Sequence, residues 1–177
     1  MPLTGFPVQR QINLPYMPLS VVYAYHRKIL TEYKMVKLFT SQEKKRIVAA
    51  ITQAELKTSG EIRVHLEGYC PSSSLDRAIF VFNQLKMYKT KERNSVLIYL
   101  ATESRKFSIL GDIGINAVVP EGFWESVKEI MQDSFRSGNF TDGICAVVEE
   151  IGEKLAEFFP YRDDDKNELP NDISFGS

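Results

Sequence analysis

Apolar residues recur at helical spacing in four stretches and alternate or run unbroken in three others. Ile47, Ala50, Ile51 and Ala54 share one helical face behind Thr40-Ser41-Gln42-Glu43. That run has a hydroxyl residue with Glu three positions later, the form of a capping box. The spacing predicts a helix over 41–57, ended by Thr58-Ser59-Gly60. Residues 61–69 alternate: Ile62, Val64 and Leu66 face one way, Arg63, His65 and Glu67 the other. This is a strand covered well on one side only, or bordering a wet cleft. Pro71-Ser72-Ser73-Ser74 ends in a good N-cap, and Leu75, Ile79, Phe82 and Leu85 predict a helix over 75–86. Met87 to Asn94 reads as a basic loop.

The run 95–101 is the most apolar and predicts a central strand buried on both faces. Thr102-Glu103-Ser104-Arg105 is a turn, and 106–111 an antiparallel return strand. Gly111 and Gly114 flank Asp112 in a loop that runs to Pro120. Pro120 suits the first position of a helix over 120–136, with Glu121 in its first turn and Phe123, Trp124, Val127, Ile130 and Met131 in its core stripe. Ser137-Gly138-Asn139 breaks it. Thr141 caps a last helix over 142–159, with Ile144, Val148, Ile151, Leu155 and Phe158 on one face, and Pro160 stops it.

This order predicts an α/β fold with helices packed on a small mixed sheet. The first two strands are joined through a helix, so they should run parallel with a right-handed crossover. The expected organisation is a poorly ordered extension over 1–34, one domain over 35–160, and an acidic, disordered tail over 161–177 containing Asp163, Asp164 and Asp165. Met35 offers an alternative start. The 177 residues suffice for one domain with a core. A net charge of −1 excludes a bulk field toward nucleic acid or anionic lipid. Cys70 and Cys145 make no disulfide framework, and no Cys or His pair has zinc spacing. No apolar run reaches the length of a membrane span, and no secretory signal pattern is seen, so a cytoplasmic monomer is expected.

The predicted wiring brings Glu61, Arg93, Asn94 and Asp112 to one sheet edge, with loops 86–94 and 111–120 running close together there. Two carboxylates that meet in space repel unless protonated or neutralised. A hard divalent cation, calcium first and magnesium second, is one solution, because both take oxygen ligands. Asp112 and Glu61 are the candidate metal ligands, with Asn116 and Glu121 supplying further oxygens; Arg93 is a candidate anion contact. The competing reading pairs Glu61 with Arg93 and leaves Asp112 to cap a turn. No residue beside Ser59 or His65 completes a nucleophilic triad.

Several of these segments together resemble the TPM domain family of thylakoid, photosystem-repair and membrane-protein members. They are Thr58-Ser59-Gly60-Glu61-Ile62-Arg63-Val64, Tyr88 to Asn94, Val96 to Ala101, Gly111-Asp112-Ile113-Gly114-Ile115, Trp124, Phe135-Arg136-Ser137-Gly138-Asn139-Phe140 and Asn167-Glu168-Leu169-Pro170. The resemblance covers about 38–170. It implies a three-layer α/β/α sandwich with a sheet of about four strands, one more than the sequence pattern locates. It also implies divalent-metal association near the strand-edge loops and a phosphatase activity claimed for plant lumenal members. The metal role falls on Asp112 and Glu61.

Three functions are expected from these readings. The first is a stand-alone TPM module in which a divalent metal orders loops 86–94 and 111–120 and so regulates partner affinity. The second is a metal-dependent phosphatase acting on phosphomonoesters, with Arg93 on the phosphate. The third is a metal-independent module that binds a protein partner.

Overall fold

The unbroken apolar run Val96–Ala101 forms β2, an interior strand of a four-stranded sheet ordered β3-β2-β1-β4. The computed structural model describes residues 39–162 and 167–176. The expected extension 1–34, the Met35 start and the Asp163–Asp165 cluster lie outside them. β1 (Ile62–Glu67) pairs parallel to β2, Ile62 opposite Val96, and β3 (Lys106–Gly111) pairs antiparallel, Gly111 opposite Val96. All six residues of β2 are buried, as an apolar strand covered on both faces must be.

Strand alternation divides the core in two. Ile62, Val64, Leu66, Val96, Ile98 and Leu100 face α1 (Ser41–Glu55), α4 (Phe123–Arg136) and α5 (Phe140–Phe158). Leu97, Tyr99 and Ala101 face α2 (Ser74–Gln84), which contributes Ala78, Val81 and Phe82. The result is the expected three-layer α/β/α sandwich. Thr40 closes the capping box of α1 with Glu43, as the sequence predicts.

Three expectations need correction. The loop after Asp112 contains a short helix, α3 (Ile113–Asn116), whose first N–H the Asp112 side chain accepts. The helix expected from Pro120 starts at Phe123, because Gly122 takes a left-handed conformation (φ 82°) and turns the chain into it. The helix expected to be capped by Thr141 starts one residue ahead of it at Phe140, and Thr141 is buried inside.

The missing strand lies where a disordered tail was expected. β4 (Ile173–Phe175) pairs parallel to β1, with Val64 opposite Ile173 and Leu66 opposite Phe175. Ile173 packs into the main cluster and Leu169 against the α2 cluster, so two apolar anchors hold residues 167–176 on the sheet. Acidic composition masked them, and a three-residue strand is too short for alternation to signal. No helix among the described residues is long and apolar enough to cross a membrane.

Candidate functional site

The backbone of the N-terminal sheet edge is arranged as the topology predicts. Val96 N–H donates to the Glu61 carbonyl at 2.7 Å, and Asp112 N–H donates to the Ser95 carbonyl at 2.9 Å. Glu61, Ser95 and Asp112 therefore flank the ends of three adjacent strands at one rim. The two loops also meet. Gly114 N–H donates to the Arg93 carbonyl at 2.8 Å, and a Cβ on Gly114 would lie 2.2 Å from the Glu92 carbonyl oxygen. Only glycine permits that approach.

The side chains do not share a centre. Arg93 donates to both Asp112 oxygens, Nε to Oδ2 at 2.6 Å and Nη2 to Oδ1 at 2.8 Å. Asp112 Oδ1 also accepts Ile113 N–H at 2.8 Å. Glu61, expected either to pair with Arg93 or to share an ion with Asp112, instead accepts Glu168 N–H at 2.7 Å. Asn116 Nδ2 donates to the Gly111 carbonyl at 2.7 Å and closes the α3 turn. Glu121 is exposed in the loop before α4. Among the described residues, no group of three or more His, Cys, Asp or Glu side chains is placed to hold a metal. As arranged, the Asp112 carboxylate is held by the Arg93 guanidinium on both oxygens, while Asn116 faces the Gly111 carbonyl and Glu121 is exposed.

Arg93 holds this pose at a conformational cost, with φ 53° in the left-handed region. Beside it, Glu92 accepts Ser59 Oγ at 2.6 Å, and Asn94 Nδ2 donates to Ser59 at 3.3 Å. The basic loop is less free than its sequence suggests. Met87 opens a 3₁₀ turn (Met87–Lys89) and is fully buried.

The polar face of β1 is not a wet cleft. Arg63, His65 and Glu67 are all buried beneath α2 and residues 167–176. Arg63 Nη1 donates to the Pro170 carbonyl at 2.6 Å, and His65 Nδ1 lies 2.9 Å from Ser174 Oγ. Glu67 accepts Arg77 Nε at 2.9 Å and Nη2 at 2.7 Å, together with the Tyr99 hydroxyl. Burial alone would push the Glu67 carboxyl up, but the Arg77 and Tyr99 hydrogen bonds outweigh it and hold it low. Burial drives His65 down to about 4 against the pull of Glu67, so its ring is neutral near pH 7, stacked on Tyr99 at 6.0 Å. Burial also raises Glu55 to about 8, although Ile62 N–H donates to it.

This buried network was missed by sequence reasoning, which found the polar side of β1 and lacked its cover. The available signal was Asn167-Glu168-Leu169-Pro170. Glu168 ties the cover to both Glu61 and Lys91 N–H, and Pro170 caps Arg63. The network is sealed, so His65 is not presented to a substrate.

Comparison with known proteins adds three findings. The model of the TPM domain matches residues 33–154. The chain is similar to the BA42 protein from the psychrophilic bacterium Bizionia argentinensis, known by NMR, at 49% identity and a TM-score of 0.73, over 78% of this chain and 95% of that one. It is also similar to the N-terminal domain of the cg2496 protein from Corynebacterium glutamicum, with a TM-score of 0.53 over 66% and 74% of the two chains. At 15% identity that second likeness shows the fold alone. No curated protein matches.

Proposed function

The chain belongs to the TPM domain family, and from that premise we propose that it is a metal-independent binding module whose loop rim is braced by an ion pair. The observation that carries this reading is the bidentate Arg93–Asp112 contact. It joins loop 86–94 to loop 111–120, the task that a cation would otherwise perform. The guanidinium fork matches a carboxylate and neutralises it without an ion. A divalent cation would have to displace Arg93 to reach Asp112.

The same contact argues against hydrolysis. Arg93 is the cation a phosphomonoester would need, and it is engaged. A protein partner has a surface of suitable chemistry on α2, where Leu75, Ile79 and Phe80 are exposed.

Thermal unfolding with calcium, magnesium or chelator tests the proposal, with amide shifts of residues 111–121 followed alongside. Equal melting temperatures and unmoved amides at millimolar cation are expected. A rise in melting temperature with calcium, accompanied by shifts at Asp112 and Asn116, would overturn the reading in favour of a metal-ordered module.

A further inference from the structure

At the opposite end of the sheet from Arg93 and Asp112, a cavity of about 700 Å³ opens between the β2–β3 turn and the junction of α4 with α5. Its size lies within the ~300–1,000 Å³ that small-molecule sites occupy. Phe107, Phe135 and Phe140 form its aromatic wall, packed in sequence at centroid distances of 5.7 and 5.1 Å. Arg105, Lys106 and Arg136 supply its charge, and among the described residues no acidic one lines it.

The three cations are not equivalent. The Lys106 ammonium is committed to the Cys70 and Ser72 carbonyls, at 3.1 and 2.8 Å. Arg136 pairs with Asp133, but their side chains are 72% and 75% exposed, so water competes for the pair and it is readily exchanged. Arg105 makes no ion pair among the described residues and holds φ 51°. It is the last residue of the turn from β2 to β3, a left-handed position that Gly or Asn fills more easily. A strained arginine with no ion-pair partner among the described residues, beside an aromatic cavity, calls for a functional account.

We propose that this cavity binds a small amphiphilic anion: an aromatic or branched apolar body seated on the three phenylalanines, with a phosphate or carboxylate head held by Arg105 and Arg136. Either head suits a guanidinium fork. The apolar body gains the contacts that the aromatic wall offers, and the cationic rim selects against neutral analogues. The site shares no residue with the Arg93–Asp112 rim, so it stands or falls apart from the metal-independent reading.

The experiment titrates the full chain with 1-naphthyl phosphate and 1-naphthoate, against neutral 1-naphthol and inorganic phosphate, following backbone amides. At least one naphthyl anion is expected to shift residues 101–107 and 132–140 saturably, and which one binds tighter identifies the head group. Naphthol and inorganic phosphate are each expected to bind about tenfold or more weakly, since each lacks half of the recognition. Arg105→Gly should weaken the anion about tenfold while leaving the melting temperature unchanged or raised, because glycine relieves the left-handed backbone. Arg136→Gln should weaken it as well. Binding of naphthol equal to that of both anions, shifts scattered away from the cavity, or undiminished affinity in Arg105→Gly would overturn the proposal.

Discussion

Arg93 and Asp112 are joined by two parallel hydrogen bonds, yet their side chains differ tenfold in exposure, 40% against 4%. The pair is therefore asymmetric. Arg93→Ala leaves a nearly buried carboxylate without its cation, whereas Asp112→Asn leaves a guanidinium that water can reach. Asparagine also keeps an oxygen for Ile113 N–H, the bond that starts α3. Urea denaturation should rank Arg93→Ala clearly below Asp112→Asn, with the double variant close to Asp112→Asn alone. Equal losses in the two single variants would mean that the carboxylate is hydrated well enough not to need Arg93.

Gly114→Ala should be among the most damaging single-methyl additions in this rim. The new Cβ would meet backbone oxygens of Glu92 and Arg93 at 2.2 and 2.7 Å, and neither can rotate away. A loss of about 3 kcal/mol is expected, the upper end for overpacking. Gly138→Ala is the control: nothing lies within 4 Å, but φ is +76°. Its loss should be about 1 kcal/mol, from the left-handed backbone alone. Chemical denaturation of both variants checks the ratio.

The helical stripes and the apolar run Val96–Ala101 made the helices, the mixed sheet they pack on and the order of its first three strands legible, because burial on a defined face is written in residue spacing; the three-layer arrangement was implied only by the family resemblance. The meeting of Glu61 and Asp112 strands at one rim followed from topology alone. What could not be read was the choice of partner. Whether Asp112 faces Glu61 or Arg93 depends on the left-handed turn at Arg93, which no pattern announces in a non-glycine residue. The cover over His65 was hidden for a different reason. Besides the two apolar anchors Leu169 and Ile173, residues 167–176 are held by main-chain groups, such as Glu168 N–H and the Pro170 carbonyl, which every sequence carries.

That cover gives a further expectation. Ile173 is 4% exposed and anchors β4 to the main core. Ile173→Ala should cost about 2–3 kcal/mol, as large-to-small changes in buried positions do. The loosened strand would also admit water to His65, whose partner Ser174 is the next residue. The His65 titration should then climb from about 4 toward the ordinary 6.5, read from its ring proton shifts. A stability loss with His65 unmoved would show that α2 and Tyr99, not β4, keep the ring dry.

Glu55 and His65 set opposing pH dependences, and their sum has a definite shape. Glu55 titrates at about 8 in the folded chain and near 4.5 when unfolded, so folding takes up a proton between those values. Its contribution is full below 4.5 and is lost as pH rises through 8. His65 titrates at about 4 folded and near 6.5 unfolded, so folding releases a proton in that window, and its contribution is full above 6.5 and lost as pH falls through 4. Between 4.5 and 6.5 the two slopes cancel; above 6.5 only the Glu55 loss remains, so stability should hold level and then decline toward pH 8. Glu55→Gln removes that decline and unmasks His65, giving stability that rises from pH 4.5 to 6.5 and then stays flat. Urea midpoints across pH 4–9 for both proteins check the sign in each window. A wild-type midpoint that climbs above pH 6.5 would mean that Glu55 is ionised in the folded chain and that its bond from Ile62 N–H outweighs burial.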